Sequence, residues 1–220
     1  MVLRAIDKST TVDRAVATLT QALFEGALLP GTALRETALA ESLDVARSTV
    51  REALQVLVSK GLVSRSPNKG AFVRQLRAAE VEDIFRARTI LECEAARAVA
   101  SCPPETLHGL ETAFINYEGA AAEGNLFFAA EAHIGFHAAL VGLIGSERLV
   151  LTEWSMMQDL QLAIASIDKS SNDLPNEVEK HRRLSDLLRA RDVEGALSTI
   201  EADLEHSKKF ILGCTVERTG

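Results

Sequence analysis

The sequence predicts a mainly α-helical protein in two parts: helices that end in a small β-hairpin, then an antiparallel all-helical bundle. Apolar residues recur at intervals of three and four along most of the 220 residues. Short apolar runs flank a turn-rich stretch between residues 62 and 73. Residues 1–76 hold ten basic against seven acidic residues, whereas residues 77–220 hold 14 against 24. These observations predict a mildly basic domain over residues 1–76 and an acidic one over residues 77–220.

Composition excludes several classes of protein. An apolar content of 47% is enough to bury a core and excludes a wholly disordered chain. No run of 18 apolar residues is present, so we expect no membrane span. The first ten residues, MVLRAIDKST, lack the hydrophobic core of a secretion signal. Cys93, Cys102 and Cys214 are widely spaced, which favours reduced thiols and a cytoplasmic protein.

The N-terminal part reads as three helices and a hairpin. The first helix has one apolar face and ends near Gly26 and the Pro30-Gly31 turn. A short second helix begins near Thr37 as a possible N-cap. The third begins between Ala46 and Ser48 and runs to about Lys60, and the hairpin pairs residues 62–63 with residues 71–73.

This order of elements is that of a winged helix-turn-helix, whose second helix of the pair enters the DNA major groove. One face of the third helix is apolar, and the opposite face can reach phosphates and base edges. Its polar residues there are Arg47, Ser48, Arg51 and Gln55, and Lys69 and Gly70 stand at the hairpin tip. The alternative is a solvated amphipathic helix with surface arginines.

The run PGTALRETALAESLDVARSTVREALQVLVSKGLVSRSPNKGAFV resembles the N-terminal domain of GntR-family bacterial transcription regulators. The resemblance covers about residues 10–74. It implies operator contacts from the start of the third helix and from the wing, here Arg47, Ser48, Thr49, Arg51, Lys69 and Gly70. The sequence departs from the family pattern at three positions. Thr37 stands where an Arg is usual, Ala46 replaces the usual Ser or Thr, and Thr49 replaces a frequent Pro.

The C-terminal part reads as helices throughout, which predicts an antiparallel bundle. The first helix has an inward stripe comprising Ile84, Arg88, Leu91, Ala95, Ala98 and Cys102. Pro103-Pro104 starts the next helix, which runs to Gly124-Asn125. Four more helices are predicted, over Leu126–Ile144, Ser146–Ile167, Asn176–Arg189 and Asp192–Leu212, with a polar segment over Asp168–Pro175.

Four of the five histidines fall in a pattern that suits a metal site. His133 and His137 are one helical turn apart on a stripe predicted to face inward, so both imidazoles point to one region. His181 lies on the inward stripe of the fifth helix, and His206 lies on the sixth. The alternative is that these are structural core or surface histidines, and His108 has no such partner.

Arg88 is predicted to lie on an inward face, where an unpaired charge is costly. It could form an ion pair with Glu92, one turn away, or it could clamp the carboxylate of an effector. The two roles are compatible.

Residues 80–212 resemble the helical FCD-type ligand-binding domain of the FadR subgroup, through Arg88 and Glu92, Phe136-His137, His181 and His206. The resemblance implies that an Asp and three histidines hold a divalent metal, which with a nearby Arg binds a small carboxylate effector. Here His133 replaces the Asp, and four imidazoles favour Zn²⁺, Ni²⁺ or Cu²⁺ over Mg²⁺ or Mn²⁺. We expect Zn²⁺, with Ni²⁺ as the alternative.

The sequence therefore predicts a ligand-responsive transcription regulator, expected to repress. It would bind a near-palindromic double-stranded DNA operator as a homodimer, and a small organic acid would be its effector. One rival is a DNA-binding protein whose helical half only dimerises. The other is a helical metallohydrolase, which lacks an H-E-x-x-H motif and an acidic general base beside His133 or His137.

Overall fold

The computed structural model describes residues 10–66, 70–165 and 173–216. The chain divides into two compact units, Met1–Gln75 and Leu76–Gly220. Helices dominate the described part of both units, and the first unit also contains a small sheet. The predicted fold class is thus confirmed. No helix among the described residues combines the length and apolar character needed to cross a membrane.

The first unit contains three helices and three short strands. In chain order they are α1 (Thr11–Phe24), β1 (Ala33–Leu34), α2 (Glu36–Leu43), α3 (Arg47–Ser59), β2 (Val63–Ser66) and β3 (Gly70–Val73). The strands are antiparallel, and β3 lies between β1 and β2. This is the predicted helix–turn–helix followed by a wing.

Local chemistry explains where these helices begin and pack. Thr10 and Asp13 form a reciprocal capping box that satisfies free N–H groups at the start of α1. The apolar face of α3 is fully buried and comprises Val50, Ala53, Leu54 and Leu57. Because α1 and α2 both pack on α3, this face is the centre of the unit's core.

Two details of the first unit differ from the sequence prediction. Thr37 does not cap α2, because the helix starts one residue earlier and Arg35 occupies the N-cap without a side-chain hydrogen bond. The strand β1 was not predicted. Two residues are too few to show the alternation that identifies a strand, and Ala33 and Leu34 are ordered by pairing with β3.

The second unit is built from helices alone in its described part. They are α4 (Ala78–Ala98), α5 (Pro104–Ala122), α6 (Leu126–Gly142), α7 (Glu147–Ala165), α8 (Leu174–Arg189) and α9 (Val193–Val216). The predicted segment 168–175 lies largely outside the described residues, as does the side chain of Cys214.

The helix α4 packs against α6, α7 and α9, and α5 packs against α6 and α8. Residues from α4, α6, α7 and α8 can therefore meet in the interior. The inward face of α4 is rotated from the predicted stripe, since Ile84 and Leu91 are only partly buried whereas Val81, Phe85 and Glu92 are buried. Arg88 is buried as predicted.

Arg191 joins the α8–α9 turn to the end of α4. Its backbone is left-handed, with a φ of 56°. Its guanidinium donates hydrogen bonds to the carbonyl oxygens of Val99, Ala100 and Cys102. These carbonyls belong to the residues that directly follow α4, so Arg191 caps the end of this helix from elsewhere in the chain.

Replacing Arg191 with Gly should lower the free energy of unfolding by about 1–2 kcal/mol, because the carbonyls lose their donors while the left-handed turn is preserved. The Arg191→Ala variant should be less stable still, by about 1 kcal/mol, because Ala disfavours the left-handed backbone. Urea denaturation followed by circular dichroism measures both. A Gly variant as stable as the wild type would show that the cap contributes nothing.

Candidate functional site

Three imidazoles meet in the interior of the second unit. The α6 helix presents His133 and His137 from successive turns, and α8 presents His181. The His133 and His137 Nε2 atoms lie 3.0 Å from the His181 Nε2 atom and 3.1 Å from each other. The three Nε2 atoms therefore form a nearly equilateral triangle, as the predicted metal site requires.

Hydrogen bonds at the other ring nitrogens orient two of the rings. The His181 Nδ1–H donates to the carbonyl oxygen of Glu177, at 2.6 Å. The His137 Nδ1 lies 3.3 Å from the Glu92 carboxylate and 3.2 Å from Arg88 Nη2, so it can donate to the carboxylate in one tautomer or accept from the guanidinium in the other. With its proton on Nδ1, His181 directs an Nε2 lone pair toward the centre of the triangle, and His137 does the same in the tautomer that donates to Glu92. Such outer partners fix the tautomer that a metal ligand needs.

Burial keeps the three imidazoles neutral. It is the largest influence on the pKa of each ring and lowers all three, that of His181 to about 3. Each neutral ring carries a single N–H, so a hydrogen bond between two Nε2 atoms would require one ring to carry its proton on Nε2 rather than on Nδ1. A divalent ion with bonds of about 2.1 Å brings its nitrogen ligands to roughly 3.0–3.4 Å from one another. The donor set therefore fits a metal that prefers imidazole, such as Zn²⁺ or Ni²⁺.

Aromatic rings enclose this triad. Tyr117 of α5 lies with its ring centroid 5.0 Å from that of His133 and 5.4 Å from that of His181. Phe136 lies 5.2 Å from His181 on another side. Burial raises the pKa of Tyr117, so its hydroxyl keeps its proton.

A buried ionic cluster lies directly behind His137. Arg88 Nη2 donates to the Glu92 carboxylate at 2.6 Å, and Arg88 Nε donates to the Glu153 carboxylate at 3.0 Å. The exposed fractions of the three side chains are 5%, 2% and 0%. Arg88 Nη2 also lies 3.2 Å from His137 Nδ1. The ion pair expected between Arg88 and Glu92 is present, and Glu153 extends it.

The two carboxyl groups of this cluster differ in charge state. Burial alone would raise the pKa of Glu92, but Arg88 and His137 outweigh burial and lower it. Burial and the neighbouring Glu92 raise the pKa of Glu153. Glu153 therefore retains its proton at a pH where Glu92 is ionised. One of its oxygens, Oε2, is buried without a hydrogen-bond partner in the described part of the chain.

The structure does not bring His206 to the triad. Its side chain is exposed on α9, whose buried face contains Ile200 and Leu204. His206 follows Leu204 by two residues, about 200° around the helix, and so points away from that face. The prediction of four converging imidazoles is wrong in this respect, and three converge. His108 is also exposed, near Glu111 on its own helix.

Sequence reasoning missed Glu153 and Tyr117. Both lie in long, mostly apolar helices where periodicity gives no reason to single out one polar side chain. The available signal was that a buried Glu requires a cationic partner, which could have suggested pairing Glu153 with Arg88. The partner helix, however, could not be chosen without the packing of α4 against α7.

The third helix of the first unit presents the polar face predicted to read DNA. Arg47, Ser48, Arg51 and Gln55 are exposed, and Thr49 is partly buried. Gly70 is exposed at the start of β3, with a φ of 76° that favours glycine. Lys69 lies outside the described residues. The polar face is opposite the buried face, as insertion into a groove requires.

A winged helix-turn-helix unit joined to a helical bundle with a buried polar site defines a DNA-binding transcription regulator. Comparison with known families agrees. The family described as bacterial regulatory proteins, gntR family, matches residues 11–73, and the FCD domain family matches residues 83–206. The chain belongs to the GntR family of regulators and carries an FCD domain; neither family is a family of enzymes.

Individual relatives are regulators as well. The Nta operon transcriptional regulator of Aminobacter aminovorans is 28% identical over 176 residues, which are 80% of this chain and 82% of that protein. The "Probable D-xylose utilization operon transcriptional repressor" of Paenarthrobacter nicotinovorans is 25% identical over 99% of this chain and 94% of that protein. A solved structure of a GntR transcriptional regulator from Rhodococcus sp. RHA1 aligns with a TM-score of 0.77 and 27% identity, covering 93% and 99% of the two chains.

Replacing Arg88 with Met should destabilise the second unit by about 3–5 kcal/mol, because Glu92 would be left as a buried charge without its cation. The double variant Arg88→Met/Glu92→Gln should recover most of this loss, since both charges are then removed. Chemical denaturation of the three proteins measures the effect.

Arg97→Met is the matched control, since Arg97 pairs with Glu94 on the same helix but both side chains are more than half exposed. Its stability should stay close to that of the wild type. An Arg88→Met variant as stable as this control would contradict the assignment of a buried ionic cluster.

Proposed function

We propose that this regulator is a repressor that senses a small carboxylate through a divalent metal held by His133, His137 and His181. The convergence of three neutral Nε2 atoms within 3.1 Å of one another carries the proposal. With protons on the Nδ1 atoms, the three rings would offer three Nε2 lone pairs to one ion. Imidazole ligands favour Zn²⁺, with Ni²⁺ as the alternative.

The donor set also bears on the effector. When bound, the ion supplies Lewis-acid attraction for an anion, and three neutral imidazoles leave its double positive charge uncompensated. Arg88, Glu92 and protonated Glu153 together carry no net charge. The uncompensated charge favours an anionic oxygen ligand over water at the positions that the imidazoles leave open, and a small carboxylate supplies one.

Arg88 contributes to this site in two ways. It anchors Glu92, and Glu92 in turn orients His137. Direct contact of Arg88 with the effector would require the effector carboxylate to replace Glu153 as the acceptor for Arg88 Nε. Because Glu153 is protonated and a weaker partner than a carboxylate, this exchange is electrostatically favourable.

DNA contact is proposed for the exposed face of α3 and for the wing, comprising Arg47, Ser48, Thr49, Arg51, Gln55, Lys69 and Gly70. A homodimer would present two such helices to a near-palindromic operator. The name of the D-xylose relative supports repression rather than activation. Cys93 and Cys102 are buried free thiols, which supports a cytoplasmic location.

Protein prepared without a histidine tag and reconstituted with Zn²⁺ should retain about one ion per chain after gel filtration. The His137→Ala variant should lose the ion, because two imidazoles bind Zn²⁺ far more weakly than three. Elemental analysis by mass spectrometry measures this content.

His206→Ala is the matched control, because His206 is exposed on the same unit and away from the triad. It should retain the ion. Equal metal content in the wild type and in both variants would contradict the site. A wild type that retains no metal would favour a helical domain that serves only for dimerisation.

The loaded protein should be stabilised against heat by at least one member of a panel of small mono- and dicarboxylates, because ligands of the native state raise its melting temperature. The same acid should change operator affinity at fixed salt by about 5–150-fold, the usual range of coupling between sites. A thermal-shift screen followed by fluorescence anisotropy tests this. Operator affinity that stays constant under saturating acid would refute the sensing role.

A further inference from the structure

An acidic side chain lies among the arginines of the proposed DNA-binding surface. Glu36 is the first residue of α2, and its Oε2 atom lies 2.9 Å from Arg51 Nη2. Its Oε1 atom lies 4.0 Å from Nη2 of Arg65, which belongs to strand β2 of the wing. Arg47 also contributes to the lowered pKa of this carboxyl, after the larger effect of Arg51. Glu36 thus faces basic side chains from both the recognition helix and the wing.

The contact between Glu36 and Arg51 has a defined geometry. Arg51 Nε lies 3.2 Å from both carboxylate oxygens, and Arg51 Nη2 donates to Oε2 at 2.9 Å. The carboxylate therefore occupies the side of the guanidinium formed by Nε and Nη2. The end of the guanidinium, formed by Nη1 and the outer N–H of Nη2, is not used by this pair. The Arg51 side chain is 57% exposed, so that end is accessible.

A carboxylate at this place is unfavourable for DNA binding in general. It repels phosphates and cancels the charge of an arginine that would otherwise release counterions. An arginine without such a partner samples many rotamers and binds whichever phosphate is near. Fixing its planar end in one orientation favours bidentate recognition of a guanine edge, through O6 and N7, over unspecific phosphate contact.

We propose that Glu36 is a positioning residue for sequence specificity. It holds one side of the Arg51 guanidinium, so that the free end of Arg51 meets the guanine of one base pair in each half-site, in the major groove. The inference rests on the proposed docking of α3 in that groove. In this role Glu36 lowers the affinity of the protein for DNA of random sequence and raises its discrimination between bases at one position of each half-site.

The test begins with in vitro selection of binding sites from a randomised duplex library by the full-length wild type and by Glu36→Gln. Gln keeps the size of Glu36 but removes the charge that holds Arg51. The wild type should enrich a site with a strongly preferred guanine in each half-site. Discrimination at that position should fall about tenfold in Glu36→Gln, while its affinity for random duplex rises a few-fold.

Glu41→Gln is the matched control. Glu41 lies on the same helix, is exposed, and its carboxylate has no ion-pair partner among the described residues. It removes an equal charge, so it should raise affinity for random duplex without changing the preferred sequence. A Glu36→Gln variant that behaves like this control, with its base preference intact, would overturn the inference.

Arg51→Ala completes a double-mutant cycle. If Glu36 acts through Arg51, adding Glu36→Gln to Arg51→Ala should leave the base preference of Arg51→Ala unchanged. A further loss at the same base pair in the double variant would overturn the positioning role. A wild type that enriches no sequence at all would refute the proposed DNA-reading surface and, with it, the role of Glu36. If the wild type enriches a site and Glu36→Gln keeps the same base preference, only the role of Glu36 is refuted.

Discussion

The carboxylate of Glu92 is the contact on which the interior of the second unit depends. It accepts hydrogen bonds from Arg88 and lies within reach of the N–H of His137, so one side chain connects a buried cation to an imidazole of the triad. A buried Arg without an anion, or a buried Glu without a cation, would each be strongly unfavourable. Their pairing allows polar groups into the core, and the same pairing sets the orientation of a prospective metal ligand.

Under the proposed function, the two units bind two anions by different means. The first exposes arginines on α3, and the carboxylate of Glu36 offsets part of their positive charge. The second would use neutral imidazoles to hold an ion, and the charge of that ion would favour an anionic ligand. Such a site would respond to a ligand because three nitrogen donors would leave coordination positions of the ion open to an oxygen ligand.

Much of this arrangement follows from the sequence alone. The one-turn spacing of His133 and His137 predicted their convergence, and periodicity predicted that Arg88 is buried. His206 shows the limit of such reasoning, because it lies off the buried stripe formed by Ala196, Ile200, Leu204 and Ile211, and its direction depends on how α9 packs on α4. Glu153 could not be paired with Arg88 for a related reason. They are 65 residues apart in the chain, and only the contact between α4 and α7 brings them together.

The central claim is that His133, His137 and His181 hold one ion through their Nε2 atoms. X-ray absorption spectroscopy at the zinc edge of the loaded full-length protein tests it most directly. Three imidazole nitrogens are expected at about 2.0–2.1 Å from the ion, with oxygen completing the shell. A shell that contains sulfur, or one with fewer than three imidazoles, would contradict it.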